Sequence, residues 1–384
     1  MIYFNNAATS WPKFPSTLAA IKDALANGQV YCGRDTADFL GTEKTLFDLR
    51  ENLGKILHAS KPYEICFASS STVALDELVL GRAEFLRSVD KLDGGFILCS
   101  DCEHNSVMRP LQHLKDRYGV PFVPVRTMLG KMTEESIAEA IREGEALGRK
   151  PLFAVFSHAS NVTGDVLNAG EVGLFLEKKG IPLILDVTQS IGVAIVDVES
   201  SSCSAAAFAG HKGLNGPQGT GGFYIREGFD ILPILFGGTG HASSSIDPPV
   251  AIPDSFEVGT PPVHDLIGLA NAVGTLLSMH DGYKKKILGV TQYCRDEVAK
   301  IKGYRVFGSQ TKESPIFSFV TDRATSSAVA SALWDESRVN CRSGLLCSPM
   351  GVHALGCDSV VRFSFGFYNT MEEADAAVGV LRRL

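Results

Sequence analysis

The sequence predicts an α/β protein in which helices cover both faces of a mainly parallel sheet, with a smaller α+β domain attached. Up to about residue 230, short apolar runs alternate with segments of helical periodicity, as in parallel sheets with crossover helices. A Ser/Pro/Gly-rich stretch follows, and beyond it lie a long helical segment and a shorter set of strands and helices. We therefore expect a large domain over residues 14–272 and a small domain formed by residues 1–13 and 273–384.

The composition excludes several classes of protein. With 384 residues, 45% of them hydrophobic and 21% charged, the chain is long enough for two buried cores. Its net charge of -7 gives no electrostatic attraction to nucleic acid. We find no signal peptide and no run of about 20 apolar residues that could span a membrane. The nine cysteines lack a disulfide pattern, which suits a reducing cytoplasm, and Cys99 and Cys102 lack the second pair of a zinc site.

The first part of the chain contains a candidate anion site. An extended arm at residues 2–11 precedes helical segments at 17–27 and 36–58 and an apolar strand at 64–68. Four hydroxyl residues follow this strand, and Ser71 and Thr72 are the last two of them, next to the following helix. Free backbone N–H groups and the helix dipole attract anions at a helix N-terminus. Helix capping is the alternative, but four hydroxyls exceed what a cap requires, so we expect phosphate binding.

Polar residues follow two of the later predicted strands, at residues 95–99 and 182–185. His104 comes after the first of these strands, and Asp186 directly follows the second. Ligand sites in open α/β sheets gather outside the carboxyl ends of strands, which favours a site role for both residues. A carboxylate at position 186 can pair with a cationic ligand group such as a pyridinium N–H. The alternatives are a solvated loop histidine and an acid that caps the next helix.

Lys212 lies in a glycine-rich segment, residues 208–222, directly after the apolar run 205–209. Small neighbours let the backbone and the lysine approach a flat ligand closely. A lysine shielded from water has a lowered pKa, and its neutral amine can form a Schiff base with an aldehyde. The segment matches neither the dinucleotide fingerprint nor the P-loop. On its own, a glycine-rich turn with a solvated lysine is an equally good interpretation.

A long helical segment is expected to link the large domain to the short α+β unit of the small domain. The predicted segments are a helix from 263 through 279 towards 301, strands at 315–320 and 360–365, a helix at 326–336, and a last helix that begins at Met371.

Taken in order, the motifs of the whole chain resemble the class V aminotransferase family of fold-type I pyridoxal phosphate enzymes, and within it the cysteine desulfurase and selenocysteine lyase branch. The resemblance spans nearly the whole chain. It is carried by Phe4-Asn-Asn-Ala-Ala-Thr-Ser, Glu103-His-Asn-Ser-Val, Ser160-Asn-Val-Thr-Gly, Asp186-x-x-Gln189, Gly210-His-Lys-Gly-x-x-Gly-Pro-Gln-Gly, Glu257-x-Gly-Thr260, Arg342-x-Gly-x-x-Cys347, Arg362-x-Ser and Tyr368-Asn-Thr370.

The resemblance implies a bound pyridoxal 5'-phosphate. Lys212 would hold the cofactor and shuttle the Cα proton, and Asp186 would keep the pyridine nitrogen protonated. The other cofactor contacts that it implies are His104 and Gln189 at the ring, Ser71, Thr72 and His211 at the phosphate, and Thr260 at the phosphate of the partner subunit. His104 would also be catalytic, as a residue that relays protons. A homodimer with shared active sites follows from the contact of Thr260.

The resemblance also implies a reaction. Arg362 would bind the carboxylate of L-cysteine or L-selenocysteine with help from Asn161, and Arg342 would lie near Cys347. The Cys347 thiolate would take the substrate sulfur as a persulfide, release L-alanine and pass the sulfur to an acceptor, for which a protein is one candidate.

Departures from the family pattern keep other readings open. Leu346 stands where a histidine usually precedes the cysteine, and a leucine makes the loop more apolar and disfavours a thiolate. Asn5 stands where an aspartate is common. A selenocysteine lyase, an aminotransferase or β-lyase that does not use Cys347, and a non-catalytic cofactor-binding relative are the alternatives.

Overall fold

The computed structural model describes residues 1–28, 39–127, 131–239, 245–279, 281–308 and 312–384. Residues 36–38 of the predicted second helix lie outside this part of the chain, as does residue 280 within the long helical segment. The helices are α1 (Pro15–Ala26), α2 (Phe39–Leu57), α3 (Ser71–Ser88), α4 (Asn105–Tyr118), α5 (Glu134–Ala146), α6 (Ala169–Lys178), α7 (Val263–Met279), α8 (Asp281–Ala299), α9 (Ser326–Ser337), α10 (Pro349–Ala354) and α11 (Met371–Arg383).

The strands form three sheets in the described part of the chain. They are β1 (Ile2–Tyr3), β2 (Ile65–Ala68), β3 (Gly95–Ser100), β4 (Phe122–Val125), β5 (Lys150–Ser157), β6 (Leu183–Asp186), β7 (Ala205–Ala209), β8 (Gly221–Ile225), β9 (Tyr304–Phe307), β10 (Ile316–Thr321), β11 (Val339–Asn340), β12 (Arg342–Gly344) and β13 (Val360–Ser364).

The largest sheet has seven strands in the order β2-β8-β7-β6-β5-β3-β4. The neighbours from β7 to β4 are parallel, whereas β8 is antiparallel to both β7 and β2. The predicted α/β class with a mainly parallel sheet is therefore confirmed. The connection from β7 to β8 is too short for a crossover helix, so β8 returns in the opposite direction. This short connection carries Lys212.

Helices cover both faces of the large sheet. Successive residues of β5 alternate between two apolar cores, because side chains of a strand point to opposite faces. Phe156 belongs to the core that includes Leu53 of α2, and Phe153 belongs to the core that includes Leu78 of α3 and Leu111 of α4. None of the helices in the described ranges is long and apolar enough to cross a membrane.

The second sheet, β12-β13-β10-β9, is antiparallel and lies in the C-terminal part of the chain. The N-terminal arm joins this part: β1 pairs with β11, and Asn5 forms a parallel bridge with Ser364 at the end of β13. The domain boundaries drawn from the sequence stay a prediction.

The parallel strands bring four chain segments to one edge of the large sheet. The carboxyl ends of β3, β5, β6 and β7 lie along this edge, since these strands run in the same direction. Asp186 is the last residue of β6, and the segments that follow β3, β5 and β7 contain His104, Asn161 and Lys212.

Candidate active site

Lys212 lies in the turn that follows β7 and is half-buried. Burial lowers the pKa of its ammonium group to about 8, an effect that Asp186 opposes and that Arg362 and Arg342 reinforce. The turn is tight: a Cβ on Gly213 would overlap the carbonyl oxygen of Ile191, so only glycine fits directly after the lysine. About one tenth of the amine is therefore neutral at pH 7, far more than for a lysine of ordinary pKa.

Asp186 is the last residue of β6 and is 7% exposed. Its Oδ1 accepts a hydrogen bond of 3.0 Å from the backbone N–H of Thr188. The carboxylate acts electrostatically on both Lys212 and His104. One turn further along, Gln189 donates its Nε2 to the Ala7 carbonyl at 3.0 Å, which connects the N-terminal arm to this edge of the sheet.

His104 is the N-cap of α4, and its tautomer is set by the helix. Its Nδ1 accepts the backbone N–H of Ser106 at 3.1 Å, so the proton of the neutral ring is on Nε2. Burial is the largest cause that lowers the pKa of His104 to about 4. The ring is thus neutral at physiological pH, and its Nε2–H takes no part in capping the helix.

Ser106 was not predicted as a site residue. Its Oγ lies 2.9 Å from Nδ1 of His104 and 2.9 Å from Oγ1 of Thr72, so it connects the starts of α3 and α4. A hydroxyl residue two positions after a histidine at a helix start is the signal that could have identified it.

Two of the predicted phosphate-binding residues, Thr72 and Thr260, line different cavities. Thr72 lies in the first turn of α3 beside Ser71, and Ser70 is the N-cap. Thr72 lines a cavity of about 440 Å³ together with His104 and Cys347. Thr260 instead lines a cavity of about 390 Å³ with Ser69, and Lys212 belongs to the lining of neither cavity.

His211 precedes the lysine and has an orphaned ring nitrogen. Its Nδ1 is buried without a hydrogen-bond partner among the described residues. Burial is the main cause that lowers the pKa of His211 to about 4, and the nearby Lys212 and Lys13 lower it further. A buried polar atom of this kind is costly unless a ligand satisfies it.

Arg362 lies in the middle of β13 and is 1% exposed. Its Nη1 donates to the Asn161 carbonyl at 2.8 Å, and its Nη2 donates to Oδ1 of Asn5 at 3.1 Å. Its Nε has no acceptor among the described residues. Burial lowers the pKa of the guanidinium to about 9. The second sheet therefore presents a cation to the edge of the first sheet, within electrostatic reach of Lys212 and His104.

Cys347 lies in the turn after β12, and its side chain contacts a cation. The Arg342 guanidinium donates from Nη2 to Sγ at 2.9 Å. The thiol also acts electrostatically on Lys212 and Arg362, which places it in the same cluster of charges. A guanidinium at this distance stabilises a thiolate.

The backbone around Cys347 is fixed on both sides. Leu346 and Cys347 have φ values of 53° and 60°, in the left-handed region that costs energy for residues other than glycine. The Leu346 carbonyl accepts Nδ2 of Asn161 at 2.8 Å, and the Cys347 carbonyl accepts the Asn105 N–H at 2.8 Å. Ser348 donates to the Glu103 carbonyl at 2.9 Å. These contacts hold the turn against the segment that contains Asn161 and against the start of α4.

Leu346 does not surround the thiol with apolar groups. It is 2% exposed and packs in a small core with Val162, Val352 and Val360. The expected loss of polarity around Cys347 is absent, because the sulfur faces Arg342 while the leucine lies in that core.

The residues present fit an aromatic aldehyde that carries a phosphate. A lysine of lowered pKa suits an aldehyde carbon, and the carboxylate at the end of β6 suits a protonated ring nitrogen. The orphaned Nδ1 of His211 and the start of α3 suit an anionic group. Among the described residues, no group of His, Cys, Asp and Glu could hold a metal ion.

Known proteins resemble this chain in sequence and in fold. The chain is 29% identical to a "Probable cysteine desulfurase" of Pyrococcus abyssi, over 100% of this chain and 94% of that protein. It is 28% identical to a protein of the same name from Halalkalibacterium halodurans, over 98% of this chain and 91% of that protein. In fold it is similar to the apo structure of a cysteine desulfurase from Thermococcus onnurineus NA1, with a TM-score of 0.88 at 24% identity over 100% and 94% of the two chains. The model of the family "Aminotransferase class-V" matches residues 2–377, and the chain belongs to this family.

Proposed function

We propose that the protein is a pyridoxal phosphate-dependent cysteine desulfurase that converts L-cysteine to L-alanine and retains the sulfur as a persulfide on Cys347. The observation that carries the proposal is the contact of 2.9 Å between Sγ of Cys347 and the Arg342 guanidinium, inside the charge cluster of Lys212. Family membership and the similarity to proteins named cysteine desulfurase support it.

The cofactor, when bound, supplies an aldehyde carbon for the lysine and a ring that accepts electron density from the substrate Cα. Lys212 is the residue that would hold it, with Asp186 at the ring nitrogen and His104 and Gln189 at the ring. Ser71, Thr72 and His211 would hold the phosphate. The neutral amine favoured by the lowered pKa of Lys212 suits both the attachment and the removal of the Cα proton.

The substrate and the thiol would be held from the second sheet. Arg362 is suited to the substrate carboxylate because it is a buried cation whose Nε–H has no acceptor among the described residues. The neutral His104 carries a proton on Nε2 that it can share with the substrate. Cys347 then attacks the substrate sulfur: the C–S bond of cysteine breaks, an S–S bond forms, and the carbon fragment gains a proton and leaves as alanine. The exchange needs no external oxidant.

We further propose a homodimer in the cytoplasm. Thr260 is exposed, and the cavity that it lines does not include Lys212. Its hydroxyl would therefore contact the cofactor phosphate of a second subunit. The eight cysteines in the described part of the chain are all free thiols, in keeping with a reducing compartment. The persulfide would pass to a thiol acceptor, for which a protein is one candidate.

The proposal is tested by the products of L-cysteine turnover. Wild type and Cys347→Ala are compared for alanine, sulfide, pyruvate and ammonia, with a reductant to regenerate the thiol. We expect alanine and sulfide from wild type and almost complete loss of both in the variant. Pyruvate and ammonia that are unaffected by the substitution would identify a β-lyase instead, and turnover of selenocysteine but not cysteine would identify a selenocysteine lyase.

A further inference from the structure

Arg362 carries a buried positive charge that the described part of the protein does not neutralise. Both hydrogen bonds of its guanidinium end on uncharged oxygens, those of Asn161 and Asn5. None of the ion pairs formed by the described residues includes Arg362. Leaving a buried cation without a counter-ion is costly, so the site favours an anionic ligand.

The electrostatic surroundings of Arg362 contain no carboxylate at close range. After burial, the groups that affect its pKa most are Arg342, Cys347, Tyr3 and Cys341. Arg342 adds a second positive charge, and the other three are neutral in their ordinary states. A carboxylate that enters here meets two cations and no second carboxylate among these groups, and the Cys347 thiolate, when it forms, is hydrogen-bonded to Arg342.

Asn5 is held beside Arg362 by the pairing of the N-terminal arm with β13. Asn5 bridges to Ser364, which lies two residues beyond Arg362 on the strand. The N–H of Ala7 donates to Oγ of Ser364 at 2.9 Å and fixes the register of the arm. Residues two apart on a strand point to the same face, which places the Asn5 side chain against the guanidinium. An aspartate at position 5 has nearly the same shape and would bring a carboxylate to Nη2.

We propose that Asn5 determines the selectivity of the site for carboxylate ligands, because its neutral amide leaves the Arg362 charge to be balanced by the ligand. The inference rests on the proposed function, in which Arg362 binds the substrate carboxylate. An aspartate at position 5 would neutralise the guanidinium and repel a second carboxylate, whereas it would leave an uncharged amide ligand unaffected. Selectivity then depends on the charge of residue 5, not on its size.

The test uses the cofactor-loaded protein and two ligands of nearly equal shape, L-alanine and L-alaninamide. Each is titrated at one fixed pH, with the change in cofactor absorption as the signal, into wild type, Asn5→Asp and Asn5→Ala. The ratio of the two dissociation constants is the quantity compared. It is internal to each preparation, so a variant that folds in lower yield still reports it.

We expect the preference of wild type for L-alanine over the amide to fall about tenfold in Asn5→Asp, or about 1.4 kcal/mol. In Asn5→Ala, which removes the side chain without adding charge, the ratio should stay within about threefold of wild type. An unchanged ratio in Asn5→Asp, or an equal fall in both variants, overturns the proposal while leaving cysteine turnover and the proposed function intact. A wild type without any preference for L-alanine would remove Arg362 from carboxylate binding and overturn the inference together with that part of the proposed function.

Discussion

At the scale of single residues, the contact between Arg342 and Cys347 is the feature on which the proposed reactivity of the thiol rests. The sequence places the two residues five positions apart and thereby predicts them as neighbours, but it cannot show that the guanidinium reaches Sγ at 2.9 Å. The turn after β12 creates this contact, because both Leu346 and Cys347 take left-handed backbone conformations. Such conformations in leucine and cysteine are not predictable from residue preferences.

Replacement of Arg342 by alanine should slow the alkylation of Cys347 by iodoacetamide about tenfold at pH 7, because the charged hydrogen bond to the sulfur is lost. Mass spectrometry of the labelled peptides measures the rate at each cysteine. Arg305→Ala is the matched control: exposed Arg305 donates to Sγ of Cys357 at 3.1 Å and lines a different cavity from Cys347. Equal rates at Cys347 in wild type and Arg342→Ala would contradict the prediction.

Lys212 should destabilise the cofactor-free protein in a pH-dependent way. Burial lowers its pKa from 10.5 to about 8, so between these values the unfolded chain binds more protons than the folded protein, and stability rises with pH. Below about pH 8 the cost is fully present. We expect the free energy of unfolding at pH 7 to be about 2 kcal/mol larger in Lys212→Met than in wild type. This figure follows from the pKa shift of Lys212 after a reduction for solvent screening.

Urea unfolding of the cofactor-free wild type and variant at pH 7, 8, 9 and 10 measures this difference. The advantage of Lys212→Met should shrink steadily as the pH rises above 8. An advantage that is constant over this range would mean that packing of the methionine, and not the charge of the lysine, causes it.

At the scale of secondary structure elements, local signals identified most helices and strands. The last helix begins at Met371 as predicted, because Thr370 and Glu373 form a capping box there. Strand β4 was not predicted, since it lies at the edge of the sheet and contains Pro124. The reversed direction of β8 was not predicted either, because strand direction depends on pairing between distant segments.

The turn that carries Cys347 depends on Leu346 as its anchor. Leu346→Ala removes apolar contacts with Val162, Val352 and Val360, so the free energy of unfolding should fall by about 2 kcal/mol. The adjacent Leu345 is 40% exposed, and Leu345→Ala should change stability by less than about 0.5 kcal/mol. Chemical denaturation of both variants measures the contrast. Equal losses would show that the turn is not anchored through Leu346.

At the scale of the whole molecule, the site is formed where two sheets meet. Elementary rules predicted that the residues after β3 and β6 would share an edge, and the structure places His104, Asp186 and Lys212 within electrostatic reach of one another. The residues from the second sheet are different. That Arg342, Cys347 and Arg362 face this edge follows from packing between distant parts of the chain, and only the family resemblance suggested their roles.

The proposed dimer makes a prediction for mixed variants. Lys212→Ala and Thr260→Ala are each defective, but a heterodimer of the two contains one site with both Lys212 and Thr260. We expect activity in the mixture, after exchange of subunits, to exceed the average of the separate proteins severalfold. Sedimentation equilibrium should give twice the chain mass of 41.2 kDa. A mass of one chain, or activity equal to the average, would contradict shared sites.

The most direct measurement is a single turnover of L-cysteine without reductant, followed by mass spectrometry of the cysteine-containing peptides. We expect one sulfur atom added to the peptide with Cys347 and one alanine released per active site, with the other cysteines unmodified. Alanine release with the sulfur on another cysteine, or pyruvate release with Cys347 unmodified, would contradict the assignment of Cys347 as the sulfur acceptor.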